Sequence, residues 1–132
     1  MFSGVIAAAR TTKSDEAGCH NSNVMLDCKY FAESIKSGVK SVDLQWRVKD
    51  VAANKWKRIA IIKRGNPRLY AYPHLDNRTT LHANGSLEIH SLKPDDATQY
   101  MCKVSQIGKR DTHFIELKVQ CGKSVRAFSQ SA

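Results

Sequence analysis

The sequence predicts an all-β fold of two packed sheets, and three observations carry that expectation. Residues 24–29 and 42–49 alternate apolar and polar side chains with the period of two that marks half-buried strands. Asn84-Gly85 stands between two further alternating segments; both residues tolerate positive φ, which makes this dipeptide a strong hairpin signal. Asp95-Asp96-Ala97-Thr98-Gln99-Tyr100-Met101-Cys102 puts an acid four residues and a tyrosine two residues before a cysteine. That spacing suits a strand entered through a tight corner. The tyrosine hydroxyl bonds back to the corner backbone, and the cysteine faces a second sheet.

Composition bounds the rest. The 132 residues, 42% of them hydrophobic, suffice for one domain with a sizeable core. No apolar run reaches the ~18 residues that a membrane span requires, so an anchor, if there is one, lies outside this chain. Four cysteines and the sequons Asn77-Arg78-Thr79 and Asn84-Gly85-Ser86 point to an oxidising, extracellular setting, with Asn77 and Asn84 as glycosylation candidates. The net charge of +9, from 21 basic and 12 acidic residues, favours acidic partners. Nucleic acid is not expected, because the aromatics do not interleave with the basic residues as a stacking platform requires. The five histidines lack metal-ligand spacing, and there is no glycine-rich phosphate loop. Neither an enzyme nor a cofactor is expected.

Cys28, Trp46, Tyr100 and Cys102 follow one another as cysteine, tryptophan, tyrosine, cysteine. Through them the chain resembles the V-set of the immunoglobulin superfamily across residues 19–121. The resemblance implies a V-type two-sheet Greek-key sandwich with an inter-sheet disulfide, Cys28–Cys102, under Trp46. Domain boundaries follow: residues 1–16 as a flexible extension, 17–121 as the domain, 122–132 as a flexible tail or linker. The apolar opening is short for a signal peptide and lacks a basic start, so it reads equally as the tail of one or as disorder.

Taken in order under this resemblance, Val24, Leu26 and Cys28 point inward from the first core strand. Residues 31–41 form a polar loop. Leu44, Trp46 and Val48 face the core, which leaves Gln45, Arg47 and Lys49 on the outer face. Residues 50–55 turn, 56–63 form an isoleucine-rich strand, 64–67 turn again, and 68–72 form a short strand before Pro73. Residues 78–82 and 86–90 form the hairpin around Asn84-Gly85. Tyr100, Cys102 and Val104 face inward from residues 99–105, a loop spans 107–111, and the last strand covers 112–120. The two strands between Trp46 and the later sheet mark the V-type.

Cys19 and Cys121 are placed to bridge the first and last strands, with free thiols or pairing to another chain as alternatives. In V-set domains the positions of Arg78 and Asp96 carry an ion pair across the base, and the same pair is expected here; the alternative is two surface charges. V-set domains commonly recognise partners with the outer face of the G, F, C, C′ and C″ strands. The residues implied are Gln45, Arg47, Lys49, Met101, Lys103 and Ser105, with Tyr70 and Tyr72 at the edge and His113 and Ile115 as last-strand candidates.

The segments Arg58-Ile59-Ala60-Ile61-Ile62, Leu69-Tyr70-Ala71-Tyr72-Pro73, Asn77-Arg78 and Tyr100-Met101-Cys102-Lys103-Val104 are similar to the adhesion branch, typified by the coxsackievirus–adenovirus receptor and the junctional adhesion molecules. Those pair through this face. Antigen-receptor V domains carry Phe-Gly-x-Gly where this chain has His113-Phe114-Ile115-Glu116-Leu117, which argues against a rearranged receptor chain. The expected function is extracellular recognition of a protein partner, a second copy included, in adhesion or immunity. The alternative is an acidic glycan or glycosaminoglycan held by Lys55, Lys57, Arg58, Lys63, Arg64 and Arg68 with Arg47, Lys49, Lys103, Lys109 and Arg110. A merely solvated basic face weighs equally.

Overall fold

The structure, a computed structural model, describes residues 9–39, 41–75 and 77–121. Among these residues nine strands and one α-helix follow in order, with short 3-10 turns at Pro73–Leu75 and Pro94–Asp96: β1 Ala9–Gly18, β2 Val24–Leu26, α1 Lys29–Lys36, β3 Asp43–Asp50, β4 Lys55–Lys63, β5 Asn66–Leu69, β6 Thr79–Leu81, β7 Leu87–Ile89, β8 Gln99–Gln106 and β9 Lys109–Val119. They form a six-stranded sheet, β1-β9-β8-β3-β4-β5, packed on a three-stranded sheet, β2-β7-β6. Neighbours in the large sheet are antiparallel except β1, which runs parallel to β9 along its whole length.

The core lies where the inward alternation of the two sheets meets. Leu44, Trp46 and Val48 of β3, with Tyr100, Cys102 and Val104 of β8, are almost wholly buried against Val24, Leu26, Leu87 and Ile89. Cys28 and Cys102 are bonded beside Trp46, whose indole N–H donates to the Gly85 carbonyl at 2.8 Å. Burying an indole is tolerable only with such a partner for its polar end. A second disulfide, Cys19–Cys121, ties the chain just after β1 to the chain just after β9.

At the base, the Tyr100 hydroxyl donates to the Asp96 carbonyl at 2.8 Å, closing the corner that the spacing predicts. Burial pushes this phenol's pKa far above its ordinary value, and the Asp96 charge adds to the effect. Asp96 has a fully buried side chain. It accepts two hydrogen bonds from Arg78, both at 2.8 Å, and one from the Lys93 amide at 2.9 Å.

Several expected boundaries are corrected. Residues 9–16 are strand, not flexible extension, because they hydrogen-bond along β9; residues 1–8 and 122–132 lie outside the described residues. The expected loop at 31–41 opens instead with helix α1, which buries Tyr30, Phe31 and Ser34 on one face. These residues recur at the i, i+3 and i+4 spacing of a helix face. The turn expected at 64–67 is confined to Arg64 and Gly65, both at positive φ, so Asn66 and Pro67 already belong to β5. Consequently β5 covers 66–69, not 68–72. The loop expected at 107–111 shrinks to Ile107-Gly108, and Lys109 and Arg110 pair with β8. At Asn84-Gly85 only Gly85 has positive φ. The turn is closed instead by backbone bonds from the Gly85 amide to the His82 carbonyl and from the His82 amide to the Ser86 carbonyl, both at 2.9 Å, and Asn84 adds a side-chain bond by accepting the Ser86 amide through Oδ1 at 3.0 Å.

Candidate recognition face

The outward alternation of the large sheet builds one broad surface. Register places Thr112, Lys103, Gln45, Ile61 and Arg68 side by side across β9, β8, β3, β4 and β5. The next row holds Phe114, Met101, Arg47 and Arg58, and another holds Ser105 beside Asp43 and Arg110. Gln45, Arg47, Lys49, Met101, Lys103 and Ser105 thus share one face, as alternation from Trp46 and Cys102 implies.

Two residues at the centre of this face escape that reasoning. The rings of Trp56 and Phe114 meet with centroids 5.8 Å apart. Phe114 is the register neighbour of Met101, which is only 9% exposed. Met101 is therefore less a free contact than the floor of an apolar centre. Lys49 sets its ammonium 5.5 Å from the Trp56 ring, and the Arg47 side chain donates to Gln45.

Trp56 reaches the outer face because β4 carries an irregularity. The β3–β4 register slips between Trp46 and Arg47, so Ile59 and Ala60 are both buried and the alternation restarts with Arg58 outward. A bulge of this kind re-aims the side chains beyond it. Toward the β5 edge, Tyr70 lies between two guanidinium groups, 4.9 Å from Arg58 and 5.6 Å from Arg68. Cation–π contacts of this sort hold both arginines over the aromatic surface.

Three candidates are corrected. Tyr72 packs against the core rather than at the edge of this face; burial and the Asp50 charge raise its phenol pKa. His113 and Ile115 point inward, 7% and 3% exposed, because His113 pairs with inward-facing Cys102. Thr112, Phe114 and Glu116 are the outward residues at the middle of β9.

His113 instead belongs to a polar seam between β1 and the core. Tyr30 donates to Thr12 Oγ1 at 2.9 Å, Thr12 Oγ1 lies 2.6 Å from His113 Nδ1, and Ser14 Oγ lies 2.9 Å from Nε2. A neutral ring satisfies this chain: it accepts from Thr12 at Nδ1 and donates to Ser14 from Nε2. Burial lowers the His113 pKa, and the Lys29 charge lowers it further. In the unfolded chain the imidazole takes its proton near 6.5, whereas in the folded chain it takes it only at lower pH. Between those values the unfolded state holds more protons, so stability falls as pH falls through that window. The melting temperature should therefore drop between pH 7.5 and 5.5, and His113→Gln should flatten that drop. An equal drop in the variant would contradict the assignment.

Nearby, burial pushes the Asp111 carboxyl up, but hydrogen bonds from the Arg10 side chain and amide outweigh it and hold the pKa below the usual range. Asn77 and Asn84 are both exposed, and they flank β6 of the small sheet, whereas Trp56 and Phe114 stand on the large one. Among the described residues no group of His, Cys, Asp and Glu could hold a metal ion, and no helix is long and apolar enough to cross a membrane.

Solved structures share this architecture. The first immunoglobulin-like domain of human CD48 antigen aligns over 98% of each chain with a TM-score of 0.61 at 17% identity. The IgV-like domain of human B7-H4 gives a TM-score of 0.59 at 18% identity, covering 80% of this chain and 91% of its own. The chain has an immunoglobulin V-type fold. The extracellular domain of the voltage-gated sodium channel beta4 subunit, described as a parallel homodimer in cell–cell adhesion, aligns over 89% of this chain and 98% of its own, with a TM-score of 0.54 at 18% identity. In sequence, the chain is 30% identical over 101 residues to a CXADR-like membrane protein of Xenopus tropicalis. That alignment covers 74% of the present chain but spans only 29% of the relative. No protein-family model matches.

Proposed function

We propose that the domain is an extracellular recognition module of the adhesion or immune type. On this reading it binds a protein partner through the outer face of the large sheet. The observation that carries the proposal is the apolar centre of Trp56, Phe114 and Met101, rimmed by Lys49, Arg47, Lys103 and Arg58. An aromatic centre with a charged rim is the composition of a binding hot spot. The basic rim favours a partner that carries acidic residues around an apolar patch. Similarity to a CXADR-like membrane protein and to the extracellular domain of the sodium channel beta4 subunit supports the extracellular setting. The two disulfides and the exposed sequon asparagines support it too; glycans at Asn77 and Asn84 would leave the recognition face clear.

A second reading rests on a separate observation. Ile61, Lys63, Arg64, Asn66, Pro67 and Arg68 line a concavity of about 490 Å³ at the β4–β5 hairpin, and three cationic side chains there suit an acidic glycan. Salt separates the two readings, because exposed charges are screened while apolar contacts are not. The domain should be offered to an array of cell-surface ectodomains and to immobilised heparin, at low and high salt. The protein reading expects an ectodomain that survives high salt and is lost with Arg47→Glu, Lys103→Glu or Tyr70→Ala at unchanged melting temperature. Capture by heparin alone, released by salt and abolished by Lys63→Glu and Arg68→Glu, would replace it with the glycan reading.

A further inference from the structure

We infer that strand β1 is an edge built to pair with β1 of a second copy of this chain, antiparallel, with the two-fold axis at Ser14. Four strands border the described sheets. β2 and β6 have three residues each, and β5 has four with a proline among them. Short edges and prolines are the usual defences against edge-to-edge association. β1 has neither. It runs ten residues without proline, almost all exposed, in unbroken register with β9.

The hydrogen bonding fixes which groups this edge offers. The Gln120 amide donates to the Gly18 carbonyl. Backbone groups of successive residues point to alternate sides of a strand, so the even residues of β1 face β9. The amides and carbonyls of Thr11, Lys13, Asp15 and Ala17 then point to the open edge. An antiparallel partner bonds only where such odd residues stand opposite one another.

Charge selects one register from these. With Ser14 on the axis, Lys13 of each copy stands opposite Asp15 of the other, and Thr11 opposite Ala17. A shift of the axis by one residue either way sets Lys13 opposite Lys13 or Asp15 opposite Asp15. Opposite charges directly across a ladder stabilise it and like charges oppose it. All four charged side chains lie on one face, since Thr12 and Ser14 turn inward to His113. Within one copy Asp15 already stands across from Glu116, so a lysine arriving from the second copy relieves a repulsion that the isolated domain retains. The pairing would continue the six-stranded sheet into its symmetry mate while leaving the Trp56–Phe114 face uncovered.

Sedimentation equilibrium of the 132-residue chain, from micromolar to millimolar, tests the inference. A concentration-dependent dimer is expected. Lys13→Glu and Asp15→Lys should each weaken it by roughly tenfold or more, and the double swap, Lys13→Asp with Asp15→Lys, should restore it. All sites are exposed, so unchanged melting temperatures confirm folding. A monomer throughout, single variants that dimerise like the parent, or a swap that fails to restore would each overturn the inference. A dimer lost in Arg47→Glu but kept in Lys13→Glu would assign self-association to the outer sheet face instead.

Discussion

Arg78→Met is expected to destabilise the domain by about 3–5 kcal/mol, the range for stranding one partner of a buried ion pair. The Asp96 side chain has no exposed surface, and two of its three hydrogen bonds come from the Arg78 guanidinium. Methionine fills similar space but leaves the carboxylate facing an apolar group in a site closed to water. Arg78 also donates to the His90 and Ser91 carbonyls, at 3.2 and 3.1 Å, so its loss loosens the chain after β7 as well. The same carboxylate residue supplies the carbonyl that receives the Tyr100 hydroxyl. Denaturant unfolding measures the effect. A companion variant, Arg78→Met with Asp96→Leu, should recover part of the loss, because no charge is then left alone. A loss under ~1 kcal/mol in the single variant would mean that the pair behaves as an exposed one.

Removing the Cys28–Cys102 bridge as a double alanine variant is the second large effect. The bridge joins residues 74 apart, for which the loop-entropy model assigns roughly 4 kcal/mol. The Cys19–Cys121 bridge joins residues 102 apart, and the same model gives it nearly 5 kcal/mol. Packing reverses that order. Cys28 and Cys102 are at most 1% exposed against Trp46, while Cys121 is exposed. Deleting the inner pair therefore also opens a cavity, which adds cost in proportion to the volume left unfilled. Unfolding of the two double variants should show the larger loss for Cys28/Cys102. A larger loss for Cys19/Cys121 would mean that chain entropy alone governs both bridges.

The legible part of this fold was its inward alternation. Val24, Leu26 and Cys28, then Leu44, Trp46 and Val48, then Tyr100, Cys102 and Val104 face the core because period two is a local property that neighbours cannot disguise. What escaped depended on pairing between distant residues. Trp56 sits on the outer face only because the ladder slips at Ile59, and no local pattern records which strand will slip. His113 is a candidate for the outer face from the sequence alone, but its ladder partner is inward-facing Cys102; only the register of β8 against β9 decides its facing. Helix α1 begins next to Cys28, and its apolar side, Tyr30 and Phe31, is too short to announce itself. It becomes stable by packing, with Tyr30 and Phe31 at 2% and 3% exposure. Residues 9–16 are mostly polar and barely alternate, so they read as a tail; the strand they form is stabilised by the ladder to β9 and not by a buried face of its own.

The most direct test of the recognition face is the affinity of the captured partner for Trp56→Ala and Phe114→Ala. Each truncates half of the ring pair at the centre of the face, where hot-spot residues cost about 2 kcal/mol or more when removed. Binding should weaken by roughly thirtyfold in each variant, with the melting temperature preserved. Undiminished affinity in both, alongside loss in variants of the β1 edge or of the Lys63–Arg68 hairpin, would move recognition off the outer sheet face.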